Sequence, residues 1–179
     1  MFFREVLNED LGCASYVVAD GGEAVVIDPK WEVEEYLEIA QENGFTITHI
    51  IETHNHADHL SGKGRLAKAT GAKIHISKEA GVEYEHEPLE DGDVVEMGEV
   101  RIVAVATPGH RPEHTSFLVE DTTRSQEPWV VITGDSLFVG DLARPDLAVE
   151  PEEGARGLFN SLRKLADLKD FVEVRPGHI

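Results

Sequence analysis

Residues 53–59 read THNHADH and set His54, His56, Asp58 and His59 within six consecutive positions. Imidazole nitrogens and carboxylate oxygens are the donors that hold Zn(II) and Fe(II). In an extended or looped segment His54 and His56 point the same way, two residues apart, while Asp58 and His59 face a neighbouring position. The alternative is a polar surface loop with chance histidines, and so many potential ligands in so short a stretch weigh against it. Three further stretches have the same character: His110 in TPGHRPEH (107–114), Asp135 in GDSLFVGD (134–141) and His178 in RPGH (175–178).

The elements that must position these residues are short and β-rich. SYVVA (15–19) and AVVID (24–28) flank DGG and predict a hairpin. Val33, Tyr36, Leu37 and Ala40 recur at helical spacing, and Gly44 closes that segment. ITHIIE (47–52) is the next strand and runs directly into the histidine cluster; a helix over 63–70 stops at Gly71, and KIHI (73–76) is a strand. DVVEMGEVRIVAVAT (93–107) reads as two strands turning at Gly98, with TSFLVE and WVVITG as further strands. A helix over about 152–168 carries Leu158, Leu162 and Leu165 on one face, and FVEV (171–174) is a last strand. Each ligand-bearing stretch follows a strand, which points to one shared site at one edge of a sheet. The interleaving predicts a layered α/β or α+β domain.

Composition narrows the function. A formal net charge of −19 repels polyanions, so neither nucleic acid nor an anionic membrane is an expected partner. No apolar run reaches bilayer length, and MFFREVLNEDLG has acids where a signal peptide has an apolar core, so a cytoplasmic protein is expected. The single cysteine, Cys13, fits a reducing compartment and reads as a small buried apolar residue. Trp31 and Trp129 read as packing residues, and EYEHEPLEDGD as a solvated loop. His49, His75 and His86 read as structural or solvent-facing, whereas His114 could line the pocket and Asp28 could bond the histidine loop or simply turn the chain.

THNHADH resembles the T-H-x-H-x-D-H signature of the metallo-β-lactamase superfamily, and TPGH, the GD of GDSLF and the final PGH follow in that family's order. With IDP at 27–29, the resemblance covers nearly the whole chain. It implies an α/β fold, an αββα sandwich of two mixed β-sheets flanked by helices, with the metal at one edge. Related proteins generally continue past the last histidine, so the expectation is a single domain over 1–179, truncated at its C-terminus.

In a dinuclear zinc hydrolase of this superfamily, such as a glyoxalase II, His54, His56 and His110 hold one Zn(II). Asp58, His59 and His178 then hold the second, Asp135 bridges, and the substrate is a thioester. GDSLFVGDLARPDL (134–147) is instead similar to the GDxLFxGDxxRPDL signature of persulfide dioxygenases. That resemblance implies one Fe(II) per chain on His54, His110 and Asp135, a 2-His-1-carboxylate facial triad with open positions for substrate sulfur and O2. A low-molecular-weight thiol persulfide and O2 would yield sulfite and free thiol. His56, Asp58, His59 and His178 would then orient ligands and water. Arg144 and Asp146 are candidates for the pocket wall, the arginine neutralising an anionic substrate, against the plainer reading of a surface ion pair. A rhodanese domain or protein as persulfide donor, and a second copy of the chain in a homodimer, complete the expected partners. A non-catalytic, metal-stabilised domain is the remaining alternative.

Overall fold

The computed structural model describes residues 1–179. Two mixed β-sheets and three helices build an α/β fold. The first sheet runs in spatial order β1 (Phe2–Asn8), β2 (Cys13–Asp20), β3 (Glu23–Ile27), β4 (Thr46–Ile51), β5 (Lys73–Ser77) and β6 (Glu87–Leu89). The second holds β7 (Val94–Met97), β8 (Val100–Ala106), β9 (Thr115–Asp121), β10 (Val130–Gly134) and β11 (Glu173–Pro176), with β11 at the edge beside β10. The helices are α1 (Glu34–Asn43), α2 (Lys63–Thr70) and α3 (Pro151–Ala166), and none is long and apolar enough to cross a membrane.

Strand periodicity explains the layering. On β2, Tyr16 and Val18 face the second sheet and meet Ile102, Phe117, Val119 and Ile132 in the inter-sheet core. Val17 and Ala19, one position out of phase, face the other way and pack under Tyr36 and Ile39 of α1 and Leu66 of α2. Strands β3 to β6 pair in parallel, and β3, from Ala24 to Ile27, is apolar on both faces because both are covered. Gly44 and Gly71, in left-handed conformation, end α1 and α2 where the sequence places those stops.

Three expectations need correcting, and one strand had no expectation. Phe2–Asn8, unassigned from its sequence, is an edge strand paired antiparallel with β2. Its alternation is imperfect (Arg4 and Leu7 are both exposed), so only the partner strand fixes it. The last strand is shifted from 171–174 to Glu173–Pro176, leaving Phe171 exposed, because its register is set by parallel pairing of Val130 with Glu173. Glu87–Leu89, inside the stretch read as a loop, pairs with β5 at the sheet edge. Trp31 is half exposed rather than packed in a core, with the Arg65 guanidinium 4.9 Å above its ring.

Candidate metal centre

The segments that follow β4, β8, β10 and β11 meet at one edge of the sandwich, and each brings a side chain there by identifiable bonds. Asp28, just after β3, adopts φ +53°, the one positive φ at a non-glycine residue, which aspartate tolerates better than most residues. That turn aims its carboxylate at Thr53, whose N–H and Oγ1–H both donate to it at 2.7 Å. Having given its proton to Asp28, Thr53 Oγ1 accepts from His54 Nδ1–H at 2.9 Å. The network therefore leaves a lone pair on His54 Nε2, which is buried with no hydrogen-bond partner. Burial, reinforced by the neighbouring imidazoles of His56 and His114, holds the His54 pKa well below the usual histidine range.

Asp135 is positioned by His114, which the sequence offered as a pocket-lining residue and the structure places beneath the carboxylate. His114 is fully buried, and its Nε2 accepts the Asp135 backbone N–H at 3.1 Å. Its Nδ1–H donates to Thr107 Oγ1 at 2.9 Å, and Thr107 in turn lies 2.8 Å from Ser116 Oγ. Burial lowers the His114 pKa to about 4, so the neutral tautomer persists. His114 thus braces the centre from beneath. Gly134 makes that approach possible: at φ +48°, a Cβ there would lie 2.7 Å from His114 Nε2 and 2.8 Å from Thr53 Oγ1.

Asp135 Oδ2 then stands 3.7 Å from His54 Nε2 and 3.6 Å from His110 Nε2, with all three donor atoms within 4.8 Å of one another. These separations are too long for hydrogen bonds. A buried unpaired acceptor costs about 1–3 kcal/mol, a cost that a shared cation removes. The orphaned His54 Nε2 and the N/N/O donor set fit a divalent metal.

The remaining candidates form a second layer beside this triad. His56 Nε2 lies 3.2 Å from Asp28 Oδ1 and 3.6 Å from Glu52 Oε2, while its Nδ1 is buried and unpaired. Burial lowers the His56 pKa, but Asp28 and then Glu52 more than offset it and raise it to about 9. His178 donates from Nδ1 to Asp135 Oδ1 and from Nε2 to Asp58 Oδ2, each at 2.8 Å. The Asp135 bond, then that of Asp58, outweigh burial and lift the His178 pKa to about 9. His59 Nδ1 lies 3.1 Å from Asp58 Oδ1. Gly177 lets Asp135 sit against the last loop, since a Cβ there would meet Asp135 Oδ1 at 2.6 Å.

The side chains of Arg144 and Asp146 are not brought into this cluster, although the Arg144 backbone lies against His110. They form a bidentate pair with each other, at 2.8 and 3.0 Å, with both side chains largely in solvent. Glu52 and Glu113, which the sequence did not single out, also contribute, as does Cys13. Glu52, wholly buried, accepts from Ser61 Oγ at 2.6 Å and faces Lys63 at 3.3 Å behind His56. Glu113 Oε1 accepts the Asn55 N–H at 3.1 Å and Arg111 Nε–H at 2.6 Å, steadying the middle of THNHADH. Cys13, read as an inert apolar residue, has its Sγ 3.4 Å from His178 Nε2 and 3.7 Å from Asp58 Oδ2. A charged residue ending an apolar strand was the available signal for Glu52; for Cys13 there was none, because its neighbours are distant in sequence.

Comparison with known proteins accounts for this arrangement. The model of the metallo-β-lactamase superfamily matches residues 8–178. The chain belongs to the metallo-β-lactamase superfamily. Among its superfamily relatives, the mitochondrial persulfide dioxygenase ETHE1 of Bos taurus is 29% identical, over 99% of this chain and 68% of the relative. A hydroxyacylglutathione hydrolase of Rhodospirillum rubrum is 31% identical, over 88% of this chain and 57% of the relative. Among solved structures, a metallo-β-lactamase from Staphylococcus aureus superposes with TM-score 0.93 at 37% identity, covering 99% of this chain and 56% of that one. ETHE1 from Myxococcus xanthus gives TM-score 0.89 at 32% identity, covering 100% and 76%. The chain thus spans between about half and three quarters of the length of these superfamily members.

Proposed function

We propose that this chain carries a mononuclear Fe(II) centre on His54, His110 and Asp135 and oxidises a low-molecular-weight thiol persulfide with O2 and water to sulfite and thiol. The observation that carries the reading is the division of labour around Asp135. Its Oδ2 faces His54 Nε2 and His110 Nε2, while its Oδ1 is engaged by His178 Nδ1–H, so the carboxylate presents one free oxygen to one position. His56 Nε2 is occupied by Asp28 and Glu52. Two imidazoles and one carboxylate holding an ion leave coordination positions open, as non-haem Fe(II) oxygenases require. The ETHE1 relatives support the same branch.

When bound, Fe(II) supplies a site at which sulfur and O2 are brought together and electrons pass between them. The residues of the chain do the rest. Asp28 and Thr53 hold the His54 ring with its Nε2 inward; His114 fixes the Asp135 backbone; His178 spans Asp135 and Asp58 with its two ring N–H groups and holds both carboxylates in place. A groove of about 470 Å³ beside His178, walled by Phe138, Val139 and Pro176, has room for the non-reacting body of the thiol. A rhodanese-type sulfurtransferase would supply such a persulfide.

The test is oxygen uptake by anaerobically iron-loaded protein given glutathione persulfide, with His110→Ala as the control. Uptake accompanied by sulfite and lost in the variant is expected. Iron-loaded protein that consumes no O2 with any thiol persulfide overturns the proposal. The second reading is a dinuclear zinc thioester hydrolase, favoured by Asp58, His59 and His178 standing next to the triad and by the hydroxyacylglutathione hydrolase relative. Thiol release from a thioester without O2 would select it.

A further inference from the structure

β1 is the edge strand of the first sheet and β11 that of the second. Register decides where Arg175 of β11 points: it pairs with Ile132 of β10, whose side chain lies in the inter-sheet core. Arg175 therefore faces the gap between the sheets at the side where both end. There its guanidinium lies 5.9 Å from the Phe3 ring, and its Nη1 stands 3.6 Å from Glu5 Oε2. The two side chains remain 36% and 29% exposed. Glu5, Arg175 and His178 line one groove of about 470 Å³, flanked by Val139 and Ile179, which are 84% and 74% exposed. At its other end His178 donates to Asp135, so the groove runs from the Arg175–Glu5 pair to the metal centre.

The guanidinium is under-satisfied where it stands. Arginine carries five N–H donors. Arg175 makes one hydrogen bond, from Nη2 to Glu173 Oε2 at 2.7 Å, while its Nε is buried without a partner and its distance to Glu5 is too long for a hydrogen bond. A pair that served to close the sandwich would hold its groups in contact; this one stands open onto the groove. The surrounding charges add a constraint. Glu5 and Glu173 outnumber Arg175, so a purely anionic ligand tail meets net negative charge. A tail with both a carboxylate and an ammonium satisfies both sides, the carboxylate on the arginine fork and the ammonium on Glu5. Arg175 and His178 are three residues apart, about 10 Å at the rise of a strand. Free cysteine, a single residue of about 3.6 Å at full extension, does not span that distance.

We propose that Glu5 and Arg175 recognise an α-amino-acid group at the far end of the thiol substrate, so that the chain selects thiols with a zwitterionic tail about 10 Å from the sulfur over thiols with a neutral or purely anionic tail. The two residues determine specificity and take no part in the chemical step. The inference rests on the reading above in one respect, that this groove holds the substrate; it applies equally to a persulfide and to a thioester of such a thiol.

Calorimetric titration with S-methylglutathione tests it, because this thioether carries the zwitterionic group and does not react. The comparison ligands are N-acetyl-S-methylglutathione, whose amine is uncharged, and S-methylcoenzyme A, whose tail is anionic. S-methylglutathione should bind roughly tenfold or more tightly than either, the range expected for charge-assisted hydrogen bonds. Arg175→Gln should weaken its binding by a similar factor, and Arg175→Lys, which keeps the charge and loses the fork, should recover part. Glu5→Gln should bring S-methylglutathione and its N-acetyl form to within about threefold of each other, a ratio that does not depend on how much of the variant is folded. S-methylglutathione that fails to bind, that binds no more tightly than the comparison ligands, or that keeps its full advantage in Glu5→Gln overturns the proposal. Binding requires neither iron nor O2, so absent oxygen uptake with the preference intact would count against the dioxygenase reading alone.

Discussion

Replacing His114 by alanine isolates the contribution of a buried brace that touches no open position of the centre. Two losses add. Asp135 N–H would be left without its acceptor, now 3.1 Å away. An unsatisfied buried donor costs about 1–3 kcal/mol. The ring itself is 1% exposed, so its removal leaves a cavity. Aromatic-to-alanine truncations in cores cost about 3–5 kcal/mol, and the smaller imidazole belongs near or below the low end. Thr107 keeps Ser116 as a partner and adds little. The sum is about 4 kcal/mol. At about 2–4 °C per kcal/mol for a chain of this size, Tm should fall by roughly 8–16 °C. His114→Gln sets an amide oxygen near the place of Nε2 and should recover part of the loss. Metal affinity should drop about 10–100-fold in the alanine variant, because Asp135 is no longer held. Differential scanning fluorimetry and metal titration read the two effects separately. A fall of less than about 3 °C in His114→Ala, or a glutamine variant as unstable as the alanine one, would refute the assignment of His114 as the acceptor that orders Asp135.

Two further outcomes are expected. Asp28→Asn keeps a residue type that tolerates the left-handed backbone but removes the charge shared by Thr53 and His56, so the His54 ring loses its anchor and metal affinity should fall about 10–100-fold; unchanged affinity in a metal titration would exclude this positioning role. His75 is buried with its Nε2 2.9 Å from His49 Nδ1, and burial lowers its pKa from 6.5 to about 4. The unfolded chain therefore binds more protons in that window, so the stability that neutral His75 supports is complete above about pH 6.5 and is lost as pH falls toward about 4. His75→Leu should be less acid-labile than the parent over that range, and parallel Tm–pH curves for the two proteins would count against the argument.

Much of the architecture was legible in local chemistry. The turn at Gly21–Gly22, the stops at Gly44 and Gly71 and the apolar runs of β3, β4 and β10 are encoded within a few residues each, because backbone conformation and hydrophobic periodicity are local properties. So were the ligand types: THNHADH, His110, Asp135 and His178 declare metal chemistry by residue identity alone. The sequence did not determine which strand Phe2–Asn8 would join, because an edge strand with irregular alternation is fixed only by its partner. Nor did it determine how seven potential ligands would divide. Folding sets Asp28 and Glu52 against His56, and His178 between Asp135 and Asp58, which leaves Asp135 Oδ2 to His54 and His110. It also carries Cys13, which no motif marks, to within 3.4 Å of a histidine 165 residues away. Ligand identity is a property of the side chain, but which donors share an ion depends on distances of a few ångströms between segments far apart in the chain, and those exist only once the two sheets have packed.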